Sequence, residues 1–430
     1  VDDRLGNWDN IKELAIEHDV MADVIVNHMS SESPQFIDYC EKGEASAYNG
    51  LFLTMSSVFP NGATEQDLLS IYRPRQEVPF TAKTLASGKD RLLWTTFTPQ
   101  QIDIDVRHET GKAYLDSILT SLAQSGVTMV RLDAVGYAIK KAGKSCFMMP
   151  ETFEFIGEFT NHARELGLEV LVEVHSYYKR QIEIAQKVDW VYDFALPPLV
   201  LHALEFGRSE PLLNWLGKRP NNAITVLDTH DGIGIIDIGA DETDPIANPG
   251  LVPQEELDEL VERIHQNSKG GSRQASGAAA SNIDLYQVNC TFYDALARSD
   301  SAYLIARAIQ FFVPGIPQVY YVGLLAGEND MHLLESTKAG RDINRHYYDR
   351  DEVLSQLKRP VVQQLIELIR LRNAHPAFSG VFSSAAASAH QLTLKWTATD
   401  ALAQLDIDLK AHTGTVKFST PSGTSELKLG

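Results

Sequence analysis

Four short apolar segments of this chain end in acidic, amide or imidazole side chains, and this repetition limits the possible folds more than any other feature. The segments are residues 21–26 before Asn27 and His28, 127–132 before Asp133, 168–172 before Glu173 and His175, and 223–227 before Asp228, His230 and Asp231. A carboxylate at the end of a buried strand is costly unless it is paired or used. A single charged strand end would be explained by an ion pair such as Arg131 with Asp133. Four strands that end in polar side chains predict a shared functional site.

Helical periodicity alternates with these strands and predicts an α/β fold. The predicted helices are 10–19, 110–124, 150–166, 179–186, 199–206, 302–312 and 359–374, and further strands are predicted at 190–194 and 318–321. Polar residues at the carboxyl ends of repeated strands are typical of a (β/α)8 TIM barrel. A doubly wound open sheet is the alternative, but the chain lacks the glycine-rich phosphate turn that would support it. The barrel is assigned to residues 1–28, 106–232 and 290–377.

Two insertions and a terminal domain complete the predicted organisation. Residues 29–105 are rich in Ser, Pro, Gly and aromatic side chains and are too long for a structureless loop, which predicts an inserted domain after the third barrel strand. Residues 233–289 form a second insertion after the seventh strand, and their Gly/Ser/Ala-rich part, 269–281, is a candidate mobile lid. In residues 378–430, apolar and polar residues alternate with a period of two, which predicts a small antiparallel β domain.

Charge and cysteine content exclude several classes of protein. The formal net charge is -19, from 38 basic and 57 acidic residues, and this opposes binding to nucleic acid or to an anionic membrane surface. Cys40, Cys146 and Cys290 have no CxxC spacing, so neither a disulfide framework nor a zinc site is expected, and a cytoplasmic location fits. The apolar stretch 302–326 contains Arg307 and two prolines, so we interpret it as a buried helix and strand rather than a membrane span.

The polar strand ends favour carboxylate chemistry without a metal or cofactor. Asp133, Glu173 and Asp231 are not accompanied by a cluster of His and Cys at metal spacing. One carboxylate as nucleophile and a second as acid catalyse retaining glycosyl transfer. Arg131 lies two residues before Asp133 and hence on the same strand face, where it would hold that carboxylate ionised. Desolvation among apolar neighbours would suit Glu173 to the role of general acid. On spacing alone, a metal-dependent hydrolase remains an alternative.

Taken in order, the four segments resemble the four sequence regions of the α-amylase clan of glycoside hydrolases. Five motifs more closely resemble the sucrose phosphorylase family, and together with the four regions they extend from the first residues into the C-terminal strands. The motifs are Asp133-Ala134-Val135-Gly136-Tyr137, Glu173-Val174-His175-Ser176-Tyr177-Tyr178, Asp231-Gly232-Ile233-Gly234, Asp284-Leu285-Tyr286-Gln287 and Gly340-Arg341-Asp342-Ile343-Asn344-Arg345.

The resemblance implies a double displacement between sucrose and phosphate that yields fructose and α-glucose 1-phosphate. Asp133 would be the nucleophile, Glu173 the general acid and base, and Asp231 the stabiliser of the transition state. Arg341 matches the residue that orients the nucleophile. The resemblance assigns His28, Phe97, Gln101 and His230 to the glucose side, Tyr137, His175 and Gln287 to the fructose side, and Arg75, Tyr286 and His175 to phosphate. The family's loop bearing Asp284, Tyr286 and Gln287 is expected to rearrange between fructose and phosphate.

Several alternatives remain open at this point. A related phosphorylase could act on glucosylglycerol, glucosylglycerate or sucrose 6-phosphate, because acceptor choice depends on small pocket differences. An α-glucosidase and a non-catalytic carbohydrate-binding relative are further alternatives, although the latter usually lose the nucleophile or the acid. A homodimer is left open.

The chain also departs from the family pattern at its two ends. It begins only one helix before the first region, so the first two barrel strands and the family's early glucose-binding aspartate have no counterpart, and the C-terminal domain ends early at Gly430. A barrel lacking two strands would leave sheet edges unpaired. We therefore expect a truncated barrel with weak or no turnover.

Overall fold

The computed structural model describes residues 4–73, 78–241, 244–276 and 287–430. The chain divides into two compact units. The first unit comprises Val1–Val174 and Glu183–Val191, and the second comprises His175–Ile182 and Tyr192–Gly430. The boundary passes through one helix, Tyr178–Ala185, and one strand, Trp190–Asp193.

The first unit contains parallel strands separated by helices. Its helices are α1 (Trp8–Leu14), α2 (Pro34–Lys42), α3 (Met55–Val58), α4 (Glu65–Leu69), α5 (Glu109–Gln124), α6 (Pro150–Glu165) and the end of α7 (Tyr178–Ala185). Its strands are β1 (Met21–Ile25), β2 (His28–Ser30), β3 (Phe80–Thr84), β4 (Asp90–Trp94), β5 (Gln101–Asp103), β6 (Met129–Asp133), β7 (Glu169–Val172) and the start of β8 (Trp190–Asp193).

The register of the parallel strands aligns their carboxyl ends. β1 pairs with β6 so that Ile25 lies opposite Asp133, and β6 pairs with β7 so that Leu132 lies opposite Val172. Glu173 is therefore the next residue after an aligned pair, and its N–H donates to the Leu132 carbonyl at 3.2 Å. The sequence folds this way because alternate apolar side chains such as Val130 and Leu132 are fully buried. The helix and strand alternation predicted for this region is confirmed.

The segment predicted as the first inserted domain has its own elements and a small core. β2 pairs antiparallel with β5, and β3 pairs antiparallel with β4. Its apolar cluster consists of Leu53, Val58, Phe59, Ile71, Trp94 and Cys146. Cys146 belongs to this cluster although it lies beyond residue 105. The domain boundaries at residues 29–105 stay a prediction.

The second unit continues the alternation and ends in an antiparallel sheet. Its helices are α8 (Leu196–Phe206), α9 (Glu210–Leu216), α10 (Gln254–Asn267), α11 (Gly271–Gln274), α12 (Phe292–Ala295), α13 (Asp300–Phe312), α14 (Tyr321–Leu324), α15 (Met331–Thr337), α16 (Arg350–Gln356) and α17 (Pro360–Ala374). Its strands are β9 (Ala223–Thr225), β10 (Ile233–Gly234), β11 (Gln287–Val288), β12 (Ile316–Pro317), β13 (Val381–Ala385), β14 (Gln391–Ala398), β15 (Ala401–Asp408), β16 (Thr413–Thr420) and β17 (Gly423–Leu429).

The predicted strand at 318–321 is wrong, whereas the terminal sheet is confirmed. Parallel pairing with β9 begins earlier, at Ile316 opposite Ile224, and α14 begins at Tyr321. Gly315 explains the shift: its φ is +120°, and a Cβ there would lie 2.2 Å from the Ala223 carbonyl oxygen, so only glycine allows this close approach. Strands β13 to β17 pair in sequence order, each antiparallel to the next.

The proposed lid lies only partly within the described residues. Within 269–281, residues 271–274 form the short helix α11 rather than a loop, and residues 277–281 lie outside the described part of the chain. Among the helices of the described residues, none combines the length and the hydropathy that crossing a bilayer requires. Cys40, Cys146 and Cys290 are free thiols.

Candidate active site

In the first unit, Asp133 lies at the end of β6 beside an arginine, as the sequence predicted. Arg131 Nη1 donates to Asp133 Oδ1 at 3.2 Å and to Asp23 Oδ1 at 3.0 Å. The Arg131 side chain is 8% exposed and that of Asp133 is 33% exposed. A buried guanidinium therefore holds a carboxylate that remains accessible from one side, which is the state a nucleophile needs.

The chain turns sharply after Asp133. Ala134 has φ +55° and ψ +20°, in the left-handed region, and residues Val135–Tyr137 form a single 3-10 turn. This turn leads away from β6 and brings Tyr137 into the aromatic contacts described below.

Glu173 directly follows β7 and is partly exposed. Because the strands are aligned, it is one residue past the Leu132–Val172 pair, just as Asp133 is on β6. Two carboxylates thus leave neighbouring strands at the same level. This arrangement suits a nucleophile and a general acid on one substrate bond, and these two roles stay predictions.

Four predicted sugar-side residues lie together in the first unit. Gln101 Nε2 lies 2.8 Å from His28 Nε2, because β2 and β5 pair side by side. Phe97 contacts His28 edge to face at 5.2 Å between ring centroids, and it contacts Tyr137 in the same way at 5.1 Å. Burial lowers the pKa of His28 despite nearby Asp103 and Asp133, so the ring is neutral at neutral pH.

Two aromatic residues that sequence reasoning did not select extend this group. Phe147 lies 4.7 Å from Tyr137 and 4.6 Å from Tyr72 between ring centroids. Tyr72 stands three residues before Arg75 in the sequence, and this nearness to a predicted phosphate-binding residue could have identified it. Phe147 lies in an irregular segment without a strand-end pattern.

A buried ion pair is hydrogen-bonded to Asn27 and Tyr137 of this region, and the sequence did not predict it. Lys140 Nζ lies 2.8 Å from Asp103 Oδ2, with side-chain exposures of 1% and 0%. Lys140 also donates to Asn27 Oδ1 at 2.9 Å and to the Tyr137 carbonyl, while Asp103 accepts from the N–H and hydroxyl of Thr96. The pair therefore links the residue before His28, strand β5 and the turn bearing Tyr137.

In the second unit, Asp231 is surrounded by two arginines and a histidine. Its Oδ1 lies 2.8 Å from Arg341 Nη1, 3.4 Å from Arg345 Nη2 and 3.7 Å from His230 Nε2. Burial by itself would raise the pKa of Asp231, but Arg341, together with His230, His175 and Arg345, outweighs it, and the pKa lies below its ordinary value. Asp231 is therefore a permanent anion at neutral pH. Arg341, predicted to orient the nucleophile, is observed paired with Asp231.

Two neighbours of Arg341 fix the Asp231 loop through its backbone. Asn344 Nδ2 donates to the carbonyls of Asp231 at 2.9 Å and of Thr229 at 3.2 Å, and Arg345 Nε donates to the His230 carbonyl at 2.8 Å. Sequence reasoning did not assign Asn344 or Arg345. Both stand inside the motif that supplied Arg341, and that motif was the available signal.

His175 has a carboxylate partner that the sequence did not reveal. Its Nδ1 lies 2.8 Å from Oδ2 of Asp237, and its ring stacks on Phe194 with centroids 3.7 Å apart. Both His175 and Asp237 are buried.

Gln287 is buried on β11, opposite Gly234 of β10. Its Nε2 makes no hydrogen bond to any residue that the structure describes. The remaining predicted residues, Arg75, Asp284 and Tyr286, lie outside the described residues. Within the described ranges, no three His, Cys, Asp or Glu side chains form a group that could hold a metal ion.

Comparison with known proteins identifies the family. No family model matches the chain. A sucrose phosphorylase of Agrobacterium vitis is 56% identical over 97% of this chain and 85% of its own length. A sucrose phosphorylase of Bifidobacterium adolescentis is 56% identical over 98% of this chain and 83% of its own length.

Solved structures agree with this relationship and with the predicted fold. The crystal structure of sucrose 6F-phosphate phosphorylase from Thermoanaerobacter thermosaccharolyticum has a TM-score of 0.90 and 37% identity, over 99% of this chain and 85% of that chain. An α-amylase from H. orenii shares the fold, with a TM-score of 0.62 at 13% identity, over 96% of this chain and 76% of that chain. The predicted (β/α)8 barrel is confirmed by these structures. The chain belongs to the sucrose phosphorylase family of the α-amylase clan.

Proposed function

We propose that this enzyme catalyses the reversible transfer of glucose from sucrose to phosphate, releasing fructose and α-glucose 1-phosphate. The observation that carries the proposal is the paired strand ends of the first unit. They place an arginine-held Asp133 and a partly exposed Glu173 on neighbouring, aligned strands. The 56% identity to two sucrose phosphorylases supports the choice of substrates.

The proposed reaction has two displacements at one carbon. In the first, Asp133 attacks the anomeric carbon of the glucosyl group while Glu173 gives its proton to the departing fructose oxygen. In the second, a phosphate oxygen attacks the glucosyl ester, and Glu173 recovers a proton from the phosphate. Asp133 is released unchanged, and two inversions give net retention.

The other predicted residues bind and stabilise. His28 and Gln101 offer uncharged hydrogen-bonding groups, and Phe97 offers an aromatic ring. Such a surface suits the hydroxyl groups and the C–H face of glucose. Asp231, held ionised by Arg341, stabilises the positive charge that develops on the sugar ring. His230 contributes on the glucose side.

Acceptor and phosphate recognition complete the proposal. Tyr137, His175 and Gln287 favour free fructose, and Arg75 and Tyr286 act with His175 on phosphate, for which a bidentate guanidinium is well suited. We also propose that the enzyme works in the cytoplasm, because its three free thiols suit a reducing compartment. A homodimer stays a prediction.

An assay with sucrose and phosphate tests this proposal. Asp133→Asn should lower glucose 1-phosphate formation by about 10⁴-fold or more, because the nucleophile is lost. Asp23→Asn is the matched control: Asp23 is bonded to the same Arg131 but lies within β1 rather than at its end, so most activity should remain. The two variants are compared with the wild type, so the test depends on relative rates rather than on the absolute rate. Release mainly of free glucose, or a clear preference for sucrose 6-phosphate, would overturn the proposal.

A further inference from the structure

Asp237 is held in one orientation beneath His175. Its Oδ1 accepts from the Ser176 N–H at 3.2 Å and from Gln181 Nε2 at 2.9 Å. Its Oδ2 is left facing His175 Nδ1 at 2.8 Å. The carboxylate is completely buried, so these three contacts, rather than water, fix which oxygen meets the imidazole.

The surrounding backbone leaves just enough room for this pair. A Cβ at Gly234 would lie 2.0 Å from Asp237 Oδ2 and 2.8 Å from His175 Nδ1. Phe194 covers the imidazole face at a centroid distance of 3.7 Å. The ring of His175 is therefore confined on one face by an aromatic ring and at Nδ1 by a carboxylate.

We propose that Asp237 is a positioning residue that fixes His175 as the tautomer with the proton on Nδ1, which reserves Nε2 for the substrate. A carboxylate oxygen only accepts hydrogen bonds, so Nδ1 must donate, and the state of the second nitrogen follows from that bond. Neutral Nε2 then accepts a hydrogen bond. When an anion arrives, the same ring takes up a proton from the solvent at Nε2 and returns it to the solvent when the anion leaves, and Asp237 stabilises the imidazolium.

This inference rests on the proposed function where it concerns substrates. In the first half-reaction Nε2 accepts from a sugar hydroxyl, and in the second a protonated Nε2 donates to phosphate. One ring thereby serves two partners of opposite hydrogen-bonding character, and Asp237 allows both states.

Asp237→Asn tests the idea because its geometry is predictable. Ser176 N–H and Gln181 keep the amide oxygen on their side, so the NH2 group must replace Oδ2 and donate to His175 Nδ1. The proton must then move to Nε2. Nitrogen NMR of histidine-labelled protein, recorded with the imidazole neutral and assigned by the signal lost in His175→Gln, reads the tautomer directly. We expect Nδ1–H in the wild type and Nε2–H in the variant. Nε2–H in the wild type, or the same tautomer in both proteins, overturns the inference.

Glu256→Gln provides a matched control. His202 Nε2 lies 2.7 Å from Glu256 Oε2, and the His202 ring stacks on Phe206 at 4.5 Å, so the same chemical change is made beside another buried, stacked histidine. We expect Asp237→Asn to lower kcat/KM for phosphate by about tenfold or more, because it forces the wrong tautomer, and Glu256→Gln to leave it unchanged.

The two measurements separate the two proposals. Equal kcat/KM for the two variants would overturn the role of Asp237. A wild-type enzyme that releases mainly free glucose from sucrose would overturn the proposed function, while the NMR result would still decide whether Asp237 sets the tautomer.

Discussion

Removing the charge of Asp103 should destabilise the first unit strongly, because it leaves a buried ammonium without its anion. In Asp103→Asn, the amide oxygen can still accept from the Thr96 N–H, but an NH2 group then faces Lys140 Nζ, which lies 2.8 Å from the carboxylate in the wild type. The new NH2 group at position 103 and the Lys140 ammonium, both hydrogen-bond donors, would then face each other in place of the ion pair. Lys140 keeps only Asn27 Oδ1 and the Tyr137 carbonyl as acceptors.

The expected loss follows from the exposure of the pair. Both side chains are at most 1% exposed, and breaking such a pair by removing one partner costs about 3–5 kcal/mol. A domain is typically stable by about 5–15 kcal/mol, so this is a large part of the total. Lys140→Met breaks the same pair from the other side and leaves the buried Asp103 carboxylate without its cation, so we expect a loss of similar size.

Urea unfolding measures this effect, with an exposed pair as control. Lys89 Nζ and Glu44 Oε1 are also 2.8 Å apart, but their side chains are 55% and 71% exposed, so Glu44→Gln should leave the unfolding midpoint unchanged. Trp94 is a local fluorescent probe, since Lys140 Nζ lies 5.7 Å from its ring centroid. If both variants shifted the midpoint equally, burial would not be the cause and the reasoning would be refuted.

Three further predictions concern the site residues. Arg341→Met should raise the pKa of Asp231 and move the acid limb of the kcat/KM profile to higher pH, and an unmoved limb would contradict this. Burial lowers the pKa of His28, so below its ordinary value of about 6.5 the unfolded chain binds more protons than the folded one and stability falls as pH decreases. His28→Gln should flatten that part of the urea stability profile, unless the slope has another origin. Gly234→Ala places a Cβ 2.0 Å from Asp237 Oδ2 and should cost about 1–3 kcal/mol of stability, measured by thermal unfolding, where an unchanged transition would count against the geometry.

The sequence predicted the elements whose signals are local. The helix expected at 110–124 is α5, Glu109–Gln124, and the contact between Arg131 and Asp133 followed from two residues on one strand face. Both predictions succeed because the spacing of apolar residues in a helix, and the strand face on which a side chain lies, depend on only a few adjacent residues.

The residues that were missed depend on distant parts of the chain. Asp237 lies in a 3-10 turn, and nothing near it in sequence announces His175 as its partner. Lys140 follows the β6 turn, and only the pairing of β2 with β5 brings Asp103 to it. The strand at Ile316 was displaced from its predicted place because Gly315 meets the Ala223 carbonyl, a contact that only the folded chain defines.

The left-handed backbone at Ala134 sets which side chains can follow the proposed nucleophile. An L-residue with a Cβ bears about 1–2 kcal/mol in this conformation, and branching at Cβ makes it far worse. Glycine, asparagine and aspartate fit position 134 best, alanine is tolerated, and valine, isoleucine and threonine are excluded. Substitution is therefore restricted even at a residue that carries no functional group, because the backbone conformation of Ala134 orients the carboxylate before it.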